Sequence, residues 1–385
     1  MKDRNLHAIF AITMVSVMGV SSITPAFPKM VEHFAISDTE VGLLITAFTV
    51  PGVLMTPPLG VLADRFGRKR ILVPSLILFG VAGTSCAFAP NFETLLLARF
   101  FQGFGAASLG SLNTTIIGDL YEGKRRATAM GYNASVLEVA VGVYPTIGGA
   151  MALFGWNYPF FLPLLAFPGA LFVIFRLKNP EPENHERLRD YFASTWNVIM
   201  QKEAIVLFMA SMVSLLVIFG SYLNYFPLLL DKEFAADSPV IGAIMGAMSL
   251  TTAVMATQLG NLMARYKPLT LLKASYLLYM LALVLIPLVP SLPLFLVTAL
   301  IFGIGNGMNI PLIFTLLAER APMESRGAFM SINGLVLRLG QTVGPLSMGL
   351  LFTLGGFSLV FNSGAALFLI MLVPLILVLG RGKRD

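Results

Sequence analysis

Residues 60–70 read Gly60-Val61-Leu62-Ala63-Asp64-Arg65-Phe66-Gly67-Arg68-Lys69-Arg70. This burst of charge separates two apolar runs, near 40–63 and 71–89. Each run is about the 20 residues a helix needs to cross the hydrocarbon core of a bilayer. The charges therefore mark a short loop between two membrane spans. Gly67 suits a tight turn there. Gly60 is expected to let its helix approach a neighbour closely.

Working outward, the same alternation fills the chain. Further spans are expected near 8–30, 93–118, 127–152, 157–176, 204–229, 239–263, 270–289, 292–317, 328–353 and 357–380. The composition agrees: 56% of the 385 residues are hydrophobic and 12% charged, with a mean hydropathy of +0.81. Soluble domains run near a quarter charged, so lipid is the expected solvent. No cleavable leader is expected, because the first apolar stretch is long and lacks a small-residue cleavage pattern. Cys86 is the single cysteine, which excludes an intramolecular disulfide. His7, His33 and His185 are too far apart for ligand spacing, and no metal site is expected.

The net charge of +6 does not form a nucleic-acid patch. Twelve spans put both termini on one side, and 22 of the 26 Lys and Arg fall in segments on that side. Cations gather in cytoplasmic loops, so both termini are expected in the cytoplasm. Lys29 and Lys232 fall outside, and Arg99 and Arg338 fall within spans. The long polar segment 178–202 divides the chain into a 1–177 half and a 203–385 half. From Arg187 onward it is expected to form an amphipathic helix on the inner surface.

The two halves repeat at an offset of 200. Gly60 and Leu62 meet Gly260 and Leu262, and Arg65 meets Arg265. Gly103 and Gly105 meet Gly303 and Gly305; Asp119 meets Glu319; Arg126 meets Arg326. Met130, Asn133 and Leu137 meet Met330, Asn333 and Leu337, and Pro145 and Gly149 meet Pro345 and Gly349. A fixed offset carried by matching helices argues for a duplicated six-helix unit.

These residues carry a resemblance. Gly60 to Lys69 resembles motif A of the major facilitator superfamily, in the loop where that motif belongs. The fold so implied is all-helical, with twelve membrane helices in two pseudo-symmetric halves. In the family, the motif's acid and arginine form a charge relay with an acid at the cytoplasmic end of helix 4, which locks the outward-open state. Carried onto this sequence, the gate is Gly60, Asp64, Arg65, Gly67, Arg68 and Asp119. The plainer alternative is positive-inside charge alone. Leu95, Arg99, Gln102, Gly103 and Gly105 resemble motif B. Val143-Tyr144-Pro145, with Gly148 and Gly149, resembles motif C of proton-driven exporters, although Ala140 and Tyr144 stand where glycines are expected. Gly340, Gly344 and Pro345, with Gly349, form a second copy. The alternative for both is a Pro/Gly kink at a helix interface. Together the motifs resemble those of the twelve-helix drug:proton antiporters. Helix 1 departs from that group in having no acid between Ala8 and Met30.

Glu138 is the one acid well inside a span. It lies ~18 Å along the helix from Arg126, near mid-membrane. Its repeat mate is Arg338. Arg99 falls ~30 Å along its helix from Asp119, in the outer half. Glu138 is expected to pair with Arg99, and substrate entry to break the pair so that Glu138 takes a proton. A permanent structural pair is the alternative. Arg338 has no evident acidic partner on its own half, so a substrate anion or water is expected to face it. By the resemblance, helices 1, 4, 7 and 10 line a cavity whose polar groups include Ser22, Thr24, Asn113, Tyr222, Asn224, Tyr225, Asn306 and Asn309.

The function expected is proton-coupled export of small amphiphiles by alternating access. The alternative is movement of a lipid, a lysolipid or a siderophore-like organic anion. A membrane enzyme or a non-transporting receptor is the more distant reading, since no nucleophile–base set stands out. No nucleotide-binding loop of the form G-x-x-x-x-G-K-[ST] is present. No cofactor is expected beyond the proton gradient. The expected partners are substrate and membrane lipid, not nucleic acid. A monomer in a bacterial inner membrane is expected.

Overall fold

The computed structural model describes residues 3–177, 200–320 and 326–379. The segment expected to form an amphipathic surface helix lies almost wholly outside the described residues. Every regular element among the described residues is a helix.

The chain separates into two compact units, Met1–His185 with Asp237–Gly246, and Glu186–Ala236 with Ala247–Asp385. The first begins with α1 (Arg4–Ser21), where Asp3 caps the first turn by accepting from the Asn5 N–H. A 3₁₀ turn leads into α2 (Phe27–Phe34). There follow α3 (Leu43–Phe66), α4 (Arg68–Ser85), α5 (Phe92–Ala107) and α6 (Leu109–Leu120). Asn91 caps α5. The unit continues with α7 (Gly123–Met151) and α8 (Ala166–Arg176). The second unit holds α9 (Lys202–Val217), a π-turn at Ile218–Tyr222 and α10 (Leu223–Phe234). Then come α11 (Ser238–Met263), whose first residues group with the first unit, α12 (Pro268–Leu285) and α13 (Phe295–Arg320). The last is α14 (Arg326–Pro374).

Ten described stretches are long and apolar enough to span a bilayer, and Glu40–Thr56 is a shorter apolar helix. One of the ten, Ile332–Leu379, breaks at Gly355 and Gly356 into two helices. Gly356 has φ 62°, a backbone state that side-chain-bearing residues reach at a cost. Twelve spans result.

The duplication is visible in backbone detail. Helices α4 and α12 start at residues 68 and 268 and end at 85 and 285. Ala35 and Ala235 end α2 and α10 in the same left-handed turn, each with φ 50°. A Cβ on Gly103 would stand 2.1 Å from the Phe48 carbonyl oxygen, and one on Gly303 would stand 2.4 Å from that of Met248. On the opposite face Gly105 and Gly305 bring α5 and α13 against Ser75 and Ser275. Lipid tails are as apolar as leucine, so helices in a bilayer associate through close packing of small residues and through polar contacts. Both units use the same small residues at the same crossings.

Candidate functional site

The loop that opened the sequence is shaped by Gly67, whose φ of 95° ends α3 and starts α4 in one residue. This aims Arg68 at the last turn of α6. Its Nε donates to Asp119 Oδ2 at 2.6 Å, with the two side chains 9% and 29% exposed. Lys69 Nζ donates to the carbonyls of Ile174 at 2.5 Å and Leu177 at 3.3 Å. It thereby caps the C-terminal end of α8, where carbonyls are left without helical partners. Arg65 is exposed, its guanidinium 5.7 Å from the Phe66 ring. The side chain of Asp64 lies outside the described residues. Gly60 departs from expectation: a Cβ there would meet nothing within 4 Å.

Arg99 is completely buried, yet it does not meet Glu138. Its Nε donates to the Leu44 carbonyl at 3.2 Å and its Nη1 to Gln102 Oε1 at 2.6 Å. The guanidinium lies 4.4 Å from the centre of the Phe48 ring, a cation–π contact strengthened by desolvation. The reason is topological. Helix α5 packs against α3 and α4, while α7 packs against α1 and α6. Helices α5 and α7 are thus not principal neighbours, although they lie close in sequence. Glu138 is half-buried on α7, and no ion pair to it is found among the described residues. Arg338, its repeat mate, is half-buried and engaged by its surroundings.

Asn113 joins a cluster that sequence reasoning missed. Its Nδ2 donates to Thr13 Oγ1 and, at 3.3 Å, to Asn133 Oδ1. Thr13 Oγ1 donates in turn to Asn133 Oδ1. Three helices, α1, α6 and α7, are thus tied by three side chains. In the second unit Ser211 Oγ donates to Asn333 Oδ1 at 2.6 Å, with both residues buried. The match of Asn133 to Asn333 in the repeat was the available signal. Thr13 and Ser211 do not align at the offset of 200, so their shared role could not be read.

Ser22 and Thr24 bond to their own backbone: Ser22 Oγ donates to the Met18 carbonyl at 2.6 Å and Thr24 Oγ1 to that of Ser21 at 3.5 Å. In the second unit Tyr222 is fully buried, with its ring stacked between Phe226 at 4.6 Å and Phe302 at 4.3 Å. Tyr225 stacks on Phe352 at 4.7 Å. The π-turn that ends at Tyr222 shifts the helical phase, and such insertions recur at functional sites. Asn306 accepts from Tyr279 Oη at 2.7 Å and donates to Thr252 Oγ1 at 3.3 Å. Asn309 Nδ2 donates to Ser275 Oγ at 3.4 Å. Asn224 is fully buried, and neither polar atom of its amide has a partner among the described residues.

The Pro/Gly motifs are sites of close backbone approach. A Cβ on Gly148 would stand 1.8 Å from the Ser22 carbonyl oxygen, and one on Gly149 would stand 2.4 Å from that of Ser238. The Pro145 carbonyl occupies the corresponding place beside Gly242. In the second unit Gly344 meets the Leu216 carbonyl in the same way, with Pro345 buried beside it.

With this geometry in hand, comparison with known proteins decides the family. The sequence matches the Major Facilitator Superfamily over residues 9–231 and 211–385. The chain belongs to this superfamily. As a superfamily member it is a membrane-embedded, multi-pass transporter. It is similar to the Bacillibactin exporter of Bacillus subtilis (strain 168), with 25% identity over 357 residues covering 89% of this chain and 88% of that one. Multidrug resistance protein 1 of the same organism is 26% identical over 361 residues, covering 91% of each chain. Among solved structures, the human organic anion transporter MFSD10 (TETRAN) superposes with a TM-score of 0.72 at 19% identity, covering 97% of this chain and 99% of that one. That last likeness speaks to fold alone.

Proposed function

We propose that this superfamily member is a proton-coupled exporter of amphiphilic small molecules in a bacterial inner membrane, with both termini cytoplasmic. The observation that carries the reading is Glu138, a half-buried carboxylate midway along a membrane helix, with no ion pair among the described residues. A carboxyl group placed so can take up and release a proton as its surroundings change, which is what coupling to a proton gradient requires. Export is supported by the similarity over about nine-tenths of the chain to proteins named for bacillibactin export and multidrug resistance. The charge bias of the loops supports the orientation. In this reading residues 1–177 and 203–385 are the two moving halves, and 178–202 is their cytoplasmic connection. Arg68 and Asp119 serve as the latch of one end state. The buried rings around Tyr222 and the buried amides of Asn224 and Asn309 serve as substrate contacts. No cofactor is required, and a monomer suffices.

The test is proton flux in proteoliposomes, reported by a pH-sensitive dye, on challenge with cationic, zwitterionic and anionic amphiphiles. Substrate-driven proton movement is expected in the wild type and is expected to vanish in Glu138→Gln. Undiminished flux in that variant would remove Glu138 from the coupling step. A second reading, export of an organic anion, is favoured by the two arginines within spans, Arg99 and Arg338, against one acid. Flux confined to anionic compounds would select it.

A further inference from the structure

The end of the first span is fastened by two contacts that the export reading does not use. That span runs from Asn5 to Phe34 and closes with α2. Lys29 Nζ donates to the Ala152 carbonyl at 2.7 Å, one residue past the end of α7. One turn further along α2, the His33 ring stacks on Trp156, with centroids 4.9 Å apart and planes at 30°. Phe34 packs on the same indole at 4.7 Å. Trp156 lies between the span that ends at Met151 and the one that begins at Tyr158. Both contacts therefore tie α2 to the connection that follows α7, the helix that carries Glu138.

The two contacts differ in what a proton does to them. A lysine ammonium keeps its charge through the neutral range. Imidazole is the side chain whose charge ordinarily changes there. A neutral imidazole on an indole is a ring stack, and an imidazolium in the same place adds a cation–π attraction. His33 is exposed, so protons from the solvent reach it, and Trp156 is half-buried. The ionisable groups of the elements around α2 are Lys29 and Glu32 on the helix itself, Asp38 and Glu40 in the turn after it, Glu93 at the start of α5, and Tyr158 beyond Trp156. Glu40 is taken up by the N–H and the hydroxyl of Ser37, each at 2.7 Å. No ion pair to His33 is found among the described residues. Its other ring neighbour, Phe34, stands nearly perpendicular to it at 86°. The second unit has no such pair. Ala35 and Ala235 end α2 and α10 in the same left-handed turn, yet the repeat mates of His33 and Trp156 are Glu233 and Gly356. The turn forms without the stack, so the stack is an addition to the shared scaffold.

We propose that His33 and Trp156 form an acid-sensitive clasp on the outer face, which grips α2 to the α7–α8 connection more tightly as the solvent there becomes acidic. Only the word outer rests on the orientation given under the proposed function. In that orientation the clasp makes the end of the first span respond to the same external protons that drive export.

Trp156 serves as its own reporter. The chain has one other tryptophan, Trp196, so Trp196→Phe leaves a single emitter. This full-length variant in lipid nanodiscs is examined at about pH 8 and about pH 5.5, across the range in which imidazole gains its charge. The rate constant for quenching by acrylamide is taken from emission lifetimes, which separates access to the ring from quenching by the imidazolium itself. Acrylamide is uncharged, so pH does not alter its approach. The rate constant is expected to be about twofold lower, or more, in acid. Adding His33→Gln, at an exposed position, is expected to erase the difference and leave the melting profile unchanged. His33→Arg, which keeps a planar cation at every pH, is expected to hold the low rate at both. No pH difference in the parent would leave Trp156 an ordinary interfacial anchor and overturn the clasp. A difference that survives His33→Gln, or a His33→Arg ring as accessible as that of His33→Gln, would overturn it as well. No transport is measured, so failure of the export reading leaves these outcomes untouched.

Discussion

The loops at residues 60–70 and 260–270 occupy the same place in the two units, share Gly, Leu and Arg at 60/260, 62/262 and 65/265, and diverge after Arg65 and Arg265. In the first, Gly67 turns with a positive φ, and Arg68 starts α4 and reaches Asp119 at 2.6 Å. In the second, position 267 is an extended lysine, 268 is a proline at the first turn of α12, and Glu319, the mate of Asp119, is exposed. Proline at a helix start is well placed, since its missing N–H would have had no helical partner. It cannot bind a carboxylate. Duplication supplied two similar scaffolds, and among the described residues an ion pair spans the loop only in the first unit. The deep packing shows the converse: Gly103 and Gly303, with Gly105 and Gly305, do the same work in both units.

The comparison is open to attack at several points. The largest effect is expected at the shared crossings. Gly103→Ala and Gly303→Ala each force a methyl against a backbone carbonyl and should cost about 1–3 kcal/mol, as overpacking does. Thermal unfolding in detergent measures this, and a loss in only one unit would break the equivalence. Next come the polar ties. Asn333→Ala strands the buried Ser211 hydroxyl and should cost about 1–2 kcal/mol. Asn133→Ala should cost less, because Thr13 retains the Ile9 carbonyl as acceptor at 3.1 Å.

Smaller again is the latch. Asp119→Asn should destabilise by about 1 kcal/mol or less, given its partial exposure. It should also alter transport rate, while Glu319→Gln changes neither. Equal effects on transport would mean that the loops differ in composition and not in role. The smallest effect is expected for Lys69→Met, which removes the cap on α8 and should cost about 0.3–1 kcal/mol. Lys273→Met, at a half-buried position of the second unit's matching helix, serves as its reference.

Much of the fold was legible because a bilayer makes it so. With no water to satisfy the backbone, each span must be a helix of fixed minimum length, and hydropathy alone counts the spans. The offset of 200 exposed the duplication, and loop charge gave a reading of orientation. The sites were legible in part. Arg68 and Asp119 were paired from motif position, and the structure brings them together. Arg99 and Glu138 were paired from depth, and depth fails because it carries no azimuth. Arg99 instead meets Leu44, Gln102 and Phe48. Gly60 was read as a contact glycine and faces open space, whereas Gly103, beside the buried arginine, is the one that needs to be small.

Sequence by itself determined the solvent, the number of spans, the repeat and the family, since these follow from composition, length and periodicity along one dimension. Only the tertiary structure decided which helix faces which. It paired Arg99 with a carbonyl and a ring in place of an acid, and it closed the triad of Thr13, Asn113 and Asn133 across 120 residues of chain. The physical reason is that a membrane helix offers several nearly equivalent apolar faces. The choice among them is made by close backbone contacts and by the few polar groups that must find one another, and both depend on where all the other helices stand.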